Sequence, residues 1–189
     1  MNHIIVILFV TGLIGYFYNE YKKEKKEDKR KVSTRQLLRD TLNAMGCPYK
    51  IDNDDDFVFE YQGDNFVISA TDNELHRNIV IRNPWWCTMD INNNDVPLLK
   101  AAVNECNITC VPTTVYTISE EYNKIAVHSQ LNFNFNEERG NHTEIFKMYL
   151  NSFIEAHHEV ANKFQQMKQE QVTLNERKVI KGFSQNVSS

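Results

Sequence analysis

The sequence lacks the short motifs by which many enzymes bind phosphates or activate a serine. No P-loop, G-x-G-x-x-G or G-x-S-x-G pattern is present. Of its six glycines, Gly12 and Gly15 lie in an apolar N-terminal run, and the other four are too scattered to cradle a phosphate. The sequence therefore predicts a protein that is not an enzyme, with no catalytic residue, no bound metal and no cofactor.

An excess of positive charge is also lacking. The chain carries 25 acidic and 21 basic residues, which gives a formal net charge of −4 and a pI near 5.9. A general nucleic-acid binder is normally clearly basic, so no nucleic-acid partner is expected. The 189 residues, 41% of them apolar, are typical of one globular domain.

Cysteine is scarce, and its spacing forms no metal site. The chain has Cys47, Cys87, Cys106 and Cys110. The last two have C-x3-C spacing, but no second pair and no nearby histidine completes a zinc site. An even count allows two disulfides in an exported domain, whereas a cytoplasmic domain is expected to keep free thiols.

One long apolar run is present, at the N-terminus. The segment from Ile4 to Tyr18 carries no charge and rises about 22 Å as a helix. Extension over residues 1–21 approaches the roughly 30 Å of a hydrocarbon core. A cleaved signal peptide is the alternative, but the N-terminus lacks basic residues and no A-x-A pattern follows. We therefore expect a retained single-pass transmembrane anchor over residues 1–21.

Residues 22–32 form a charged juxtamembrane linker. Between Glu20 and Lys31, seven basic and four acidic residues leave a surplus of three positive charges. The positive-inside rule then places the following domain on the cytoplasmic side of the inner cell membrane.

Residues 33–168 are predicted to form an α+β domain in the order helix, strand meander, helix, two strands, long helix. Ser33 and Gln36 are typical of a capping box, and Gly46 is a helix C-terminal signal. Strand-like segments follow, two of them separated by Asn83-Pro84, and Asp95 is predicted to cap a second helix. Helices on one face of an antiparallel sheet complete this architecture.

The end of the chain carries the clearest periodicities. From Ile125 to Phe135 apolar and polar residues alternate with period two, which predicts a half-buried strand. Its polar face holds His128, Gln130, Asn132 and Asn134. A helical apolar seam then runs from Phe146 to Met167, and residues 169–189 are predicted to be a flexible polar tail.

Three segments together resemble a known family. They are LNAMGCPYKID after the first helix, FVFEYQGDNFVISA, and LLKAAVNECN before paired strands and a terminal helix. This pattern, over about Ser33 to Phe164, resembles the YbjN-type family of bacterial sensory-transduction regulators. The resemblance implies a fold like that of type III secretion chaperones, a chaperone-like or adaptor-like binding domain and often a homodimer. It brings no catalytic residues.

The adjacent pair Trp85-Trp86 is the strongest candidate for a binding site. Successive side chains of a strand point to opposite faces, so one tryptophan is predicted to enter the core and the other to face outward. An outward tryptophan beside Pro84 suits a partner-binding anchor. The polar face of the later strand, with His128, Gln130, Asn132 and Asn134, can add a peptide or a second subunit, although any solvated sheet face has this composition.

Other polar clusters have structural interpretations. The acidic segments Asp52–Asp56 and Asp90–Asn94 lack the glycine and glutamate of an EF-hand loop, so both are predicted to be Asx-turns. His157 lies on the apolar seam of the last helix and is predicted to be a hydrogen-bonded core histidine.

These features predict a membrane-anchored, non-enzymatic protein-interaction module that acts as an adaptor, a regulator or a chaperone. Its expected partner is a protein, a peptide or a second copy of the chain. The alternatives are a structural subunit of an envelope complex and an exported domain with a cleaved signal peptide.

Overall fold

The chain from Val32 onward alternates helices and strands, as the computed structural model shows. The structure describes residues 18, 21–22, 32–72, 77–136 and 140–185. The elements are α1 (Thr34–Ala44), β1 (Tyr49–Ile51), β2 (Phe57–Tyr61), β3 (Asp64–Asp72), β4 (Arg77–Asp90), α2 (Val96–Thr109), β5 (Thr113–Ser119), β6 (Lys124–Asn134) and α3 (His142–Gln185).

The six strands form one antiparallel sheet in the order β1-β2-β3-β4-β6-β5. Strands β1 to β4 are a meander, and β6 inserts between β4 and β5. The predicted α+β class and antiparallel sheet are confirmed. The strands β1 and β5 are the two edges of the sheet.

The helices cover one face of the sheet and bury two apolar clusters. The first cluster joins α1, the meander and α3 from Phe146 to Phe153, and the second joins α2, β6 and α3 from Ala156 to Met167. The largest fully buried side chains of the first cluster are Phe57, Phe66, Phe135, Phe146 and Phe153. Val103, Cys106, Ile125, Val127 and Ala156 lie at the centre of the second. Helix α3 therefore links the two clusters.

Helix α1 begins as its sequence predicts. The side chain of Ser33 accepts a hydrogen bond from the Gln36 N–H at 3.1 Å, which satisfies one free donor of the first turn. The Gln36 side chain does not close the capping box, because it donates to Asp40 one turn later. Gly46, at φ +69°, terminates the helix in a left-handed conformation.

Helix α2 differs from its prediction at the start. Asp95 occupies the N-cap position but makes no side-chain cap hydrogen bond. Its carboxylate instead accepts a hydrogen bond from the Lys168 ammonium on α3, and its N–H donates to the Asn93 side chain. Asp95 therefore ties α2 to α3 rather than capping α2.

Strand β4 is one strand where the sequence predicts two. Asn83 and Pro84 were expected to separate two strands, but β4 runs without a break from Arg77 to Asp90. Its pairing with β6 shifts between Asn83 and Cys87, which marks a β-bulge. A bulge tolerates proline because it leaves ladder positions unpaired.

Helix α3 continues beyond the predicted start of a flexible tail at residue 169. It is helical over 44 residues, to Gln185. Strong helix formers occur in this extension at Gln169 to Gln171 and at Glu176 to Lys178. Residues 186–189 lie outside the described part.

Both acidic segments form the predicted Asx-turns. The Asp52 carboxylate accepts hydrogen bonds from the N–H groups of Asp54 and Asp56 at 3.0 and 2.9 Å. The Asp90 carboxylate accepts one from the Asn92 N–H at 2.8 Å. Their acidic side chains therefore satisfy the backbone of their own turns.

The predicted anchor over residues 1–21 and the linker over 22–32 lie almost wholly outside the described residues. Among the residues that the structure does describe, no helix is both long and apolar enough to cross a bilayer.

Candidate binding surface

The site is built on the bulge of β4. Asn83 pairs with Ser129 of β6, and the next paired residue, Cys87, lies opposite Val127. Three residues of β4, Pro84 to Trp86, therefore stand opposite His128 alone. The surplus backbone bends away from the ladder and changes the direction of its side chains.

Trp85 lies at the crest of the bulge, on the open face of the sheet. Its φ of +56° is in the left-handed region, which is uncommon for a bulky residue. Its N–H donates to Nδ1 of His128 at 3.2 Å. Its ring meets those of His128 and Tyr122 edge-to-face, with centroids 5.6 and 6.1 Å apart. The Trp85 side chain is nevertheless 45% exposed.

His128 holds this arrangement through both ring nitrogens. Its Nδ1 accepts from Trp85, and its Nε2 lies 2.7 Å from Oγ1 of Thr117 on β5. Because Nδ1 accepts a hydrogen bond, the neutral Nε2–H tautomer fits, and the Nε2–H then donates to Thr117. Burial lowers the pKa of His128, which favours the same neutral form.

Two grooves lie at the bulge. One, of about 540 Å³, is lined by Trp85, Thr88, Tyr122 and Lys124. The other, of about 200 Å³, lies on the opposite side of the bulge, and Pro84, Val115 and His128 are among its lining residues. We name the exposed patch formed by Pro84, Trp85, Val115, Thr117, Tyr122 and His128 the Trp85 surface.

The structure brings some of the sequence-predicted site residues together and separates others. Gln130 lines the smaller groove beside His128. Asn132 and Asn134 lie about 13 and 20 Å from His128 along β6, at about 3.3 Å per residue. Asn134 accepts a hydrogen bond from Asn136 at 2.6 Å. Neither asparagine lines the grooves among the described residues.

Trp86 points to the other side of the sheet, so the two tryptophans divide between the faces. Its indole N–H donates to Oγ of Ser129 at 3.1 Å. Its ring stacks on the imidazole of His157 from α3, with centroids 4.1 Å apart and planes inclined by 21°. Trp86 therefore supports the bulge from beneath and has no place on the Trp85 surface.

A polar junction lies behind the bulge, between the two apolar clusters. Asn83 is buried; its Oδ1 accepts from Nε2 of His157 at 2.7 Å, and its Nδ2 donates to the Asn65 carbonyl at 2.8 Å. His157 Nδ1 also lies 3.5 Å from a carboxylate oxygen of Asp64. We name Asn83, His157 and the Asn65 carbonyl the Asn83 junction. It confirms the prediction of a hydrogen-bonded His157.

The pKa of His157 is lowered overall. Burial is the largest cause, the Asp64 carboxylate acts in the opposite direction, and His158 adds to the lowering. The neutral imidazole therefore prevails, with Nε2–H bonded to Asn83.

Several residues of the surface had no signal in the sequence. Thr117 and Tyr122 lie some 32 and 37 positions from Trp85 in the sequence. The sequence does not show how β5 and β4 pair with β6, and this pairing brings the three residues together. Pro84 inside a strand was the one local sign of a bulge. The outward tryptophan was predicted, but the choice between Trp85 and Trp86 needed the register with β6.

The stability of the fold is expected to fall as the pH falls through about 6.5. The pKa values of His128 and His157 are lower in the folded protein than in the unfolded chain. Below about pH 6.5 the unfolded chain therefore binds more protons at these two residues, which favours unfolding. Urea denaturation at about pH 7.5 and about pH 5.5 measures this difference. We expect this difference in the free energy of unfolding to be smaller in His157→Gln, because glutamine keeps a hydrogen-bond donor near Asn83 but does not titrate.

His158→Gln is the matched control for this prediction. His158 is the exposed neighbour of His157 on the same helix, so its replacement is expected to leave most of the pH difference. An equal pH difference in His157→Gln and in the unaltered protein would contradict the role of His157.

Comparisons with known proteins give a likeness of fold and no more. No family model matches the chain, and no curated protein matches it. The crystal structure of YbjN from E. coli, a proposed transcription regulator, resembles this chain with a TM-score of 0.42 at 13% identity. The match covers 71% of this chain and 90% of that one.

Proposed function

We propose that this protein is a non-enzymatic interaction module, an adaptor, regulator or chaperone, that binds an extended segment of a partner protein at the Trp85 surface. One observation carries the proposal. The ring of Trp85 is 45% exposed and yet is fixed by its backbone N–H bond to His128 and by ring contacts with His128 and Tyr122.

A fixed and exposed tryptophan suits binding for two physical reasons. Its large amphipathic ring has much apolar area to bury, and tryptophan is enriched among residues that dominate binding energy. Because contacts in the free protein already orient the ring, little conformational entropy remains to be lost on binding. A strained left-handed residue also persists only where its surroundings hold it, which is typical of functional positions.

The shape of the surface favours an extended segment as the ligand. One groove is lined by Trp85, the other by Pro84 and His128 beside it, and the Trp85 surface reaches β5, an edge strand. The N–H and C=O of Thr114 bond to the Asn107 side chain, so they point away from β6. In a strand, Tyr116 and Ile118 present their backbone groups in the same direction. An added strand can pair there while a side chain reaches Trp85.

Membrane attachment through residues 1–21 belongs to the proposal. The apolar run and the positive linker support a single-pass anchor with this domain in the cytoplasm. Confinement to the membrane surface raises the effective concentration of the module for membrane-bound partners.

Photocrosslinking tests the binding surface in cells. A benzophenone amino acid replaces Tyr122 in the full-length chain, next to an intact Trp85. We expect a discrete crosslinked partner, and we expect Trp85→Ala to reduce its yield about tenfold or more, because loss of such an anchor weakens binding strongly.

The control places the same crosslinker at Met148, which is exposed on α3 away from the sheet. No corresponding adduct is expected there. An adduct at position 122 that persists in Trp85→Ala, or the same adduct from position 148, would count against the proposal.

Thiol labelling of intact cells tests the topology. With a membrane-impermeant maleimide, we expect the partly exposed Cys47 and Cys87 to react only after permeabilisation, without reductant, in protein from the membrane fraction. Reaction in intact cells, or labelling that needs reductant, would place the domain outside. It would support the exported alternative with a cleaved signal peptide.

One observation favours a structural subunit of an envelope complex as a second candidate. Helix α3 has 44 residues, a length of about 66 Å. Beyond the packed part it exposes Val172 and Leu174, which can contact another helix. Ending the chain after Lys168 distinguishes the two functions: the crosslink from position 122 persists if the Trp85 surface binds the partner, and is lost if the helix extension holds the complex.

A further inference from the structure

Two thiols meet at the end of α2. The Sγ atoms of Cys106 and Cys110 are 3.1 Å apart, and the Cys106 thiol donates a hydrogen bond to the Cys110 sulfur. Cys106 is buried in the second apolar cluster, while Cys110 is partly exposed at the C-cap of α2. Of the other two cysteines, Cys47 packs against the first apolar cluster, and Cys87 on β4 packs against the second.

The backbone geometry at this helix end permits a disulfide. Residues four apart in a helix have Cα atoms about 6 Å apart, within the roughly 4.4–6.8 Å that disulfides span. The two sulfurs must approach by about 1 Å to reach bonding distance. Cys110 has already left the helical conformation, with φ −90° and ψ 149°, so its backbone is free to adjust without disturbing a following turn.

We propose that Cys106 and Cys110 are a redox site that closes to an intrachain disulfide by exchange with a soluble disulfide. Cys110, as the thiolate, attacks one sulfur of the soluble disulfide, and the other leaves as a thiolate. The Cys106 thiol then loses its proton to solvent and attacks the Cys110 sulfur, which expels the second thiolate. Two cysteine thiols are oxidised and one soluble disulfide is reduced to two thiols.

The surroundings assign the order of these steps. A soluble disulfide can reach Cys110, whereas Cys106 is enclosed beneath α3 and lies 3.7 Å from the Ala156 carbonyl. Burial, followed by the hydrogen bond to Cys110, raises the pKa of Cys106 to about 12. Cys106 is therefore the slower, second nucleophile, and its proximity to Cys110 compensates for its low ionisation.

The disulfide would lie next to Asn107, whose side chain caps the free backbone edge of β5 at Thr114. Asn107 follows Cys106 directly, and its side chain makes two hydrogen bonds to the Thr114 backbone, at 2.7 and 2.8 Å. A bond between Cys106 and Cys110 restrains the chain on both sides of this cap. Any effect on partner binding at β5 rests on the proposed function, whereas formation of the disulfide does not.

Mass spectrometry of the full-length protein tests the proposal. The protein is equilibrated with glutathione at increasing ratios of oxidised to reduced form, alkylated and digested with trypsin. Peptide 101–124 contains both cysteines and no other. We expect it to become about 2 Da lighter, through loss of two hydrogens, and to escape alkylation until dithiothreitol is added.

Three variants separate the site from the other thiols. In Cys106→Ser, we expect Cys110 to accumulate as a mixed disulfide with glutathione, since the second nucleophile is absent. In Cys110→Ser, peptide 101–124 is expected to stay reduced and without glutathione. Cys87→Ser is expected to leave the closure unchanged.

Two results would overturn the proposal. One is a peptide 101–124 that remains fully alkylated at ratios where Cys110 of Cys106→Ser carries glutathione. The other is oxidation that joins Cys47 or Cys87 instead. If the disulfide forms but the crosslink from position 122 is the same in oxidised and reduced protein, the redox site stands and only its coupling to β5 is refuted. Failure of the crosslink itself concerns the proposed function alone.

Discussion

Replacement of Phe153 by alanine is expected to lower the free energy of unfolding by about 3–5 kcal/mol. Phe153 lies on the buried face of α3 and is fully enclosed. Its ring meets that of Phe66 on β3 edge-to-face, with centroids 5.4 Å apart. The substitution removes this contact and leaves a cavity that rigid neighbours, themselves large aromatic side chains, cannot fill completely.

Urea denaturation followed by circular dichroism measures the change. Met148→Ala is the matched control, since Met148 lies on the same helix but is 57% exposed. It is expected to change the free energy of unfolding by no more than about 0.5 kcal/mol. Equal effects of the two substitutions would contradict the placement of Phe153 at the contact between α3 and the sheet.

Replacement of Asn83 by alanine is expected to lower the free energy of unfolding by about 1–3 kcal/mol. Asn83 links the His157 imidazole to the Asn65 carbonyl in the Asn83 junction. Its removal leaves the His157 N–H and the Asn65 carbonyl without this partner, and the half-buried imidazole loses a hydrogen bond that water replaces only in part.

Asn132→Ala provides the comparison for the same change of residue type. Asn132 lies in a strand of the same sheet but faces solvent, so an effect within about 0.5 kcal/mol is expected. Urea denaturation serves both variants. A small effect at Asn83 would show that water takes over the two hydrogen bonds, and the junction would then not be rigid.

The parts of the fold with strong local patterns could be predicted from sequence. In β6, period-two alternation predicts the buried face, and Ile125 and Val127 are indeed enclosed, as is Phe135 directly after the strand. In α1, a short-range signal at Ser33 fixed the start of the helix. Both are decided within a few residues, where backbone geometry and side-chain type act directly.

The parts that failed depend on distant partners. Asp95 was predicted as a cap, but Lys168, 73 residues later, binds its carboxylate. Asn83 and Pro84 were predicted to end a strand, because proline lacks an N–H and nothing local shows that β6 will accommodate a bulge. The extension of α3 beyond residue 168 was missed for another reason: the apolar seam that identifies this helix ends at Met167, whereas the helix continues to Gln185.

The candidate site shows the same division. The outward tryptophan follows from strand alternation, and His128 from its place on the polar face of β6. Their hydrogen bond does not, since it requires the positive φ of Trp85 and the register of β4 against β6. Asn132 and Asn134 share the polar face of β6 with His128 and Gln130. Period-two alternation identifies this face but does not mark where along the strand a binding surface ends.

The bulge of β4 contains two surplus residues, and this even number matters. Asn83 before the bulge and Cys87 after it both face the helices, because an insertion of two leaves the alternation of a strand in phase. Cys87 therefore keeps its place against the second apolar cluster. The bulge thus presents the exposed tryptophan on one face, while the strand on both sides of it stays paired with β6 and packed against the helices.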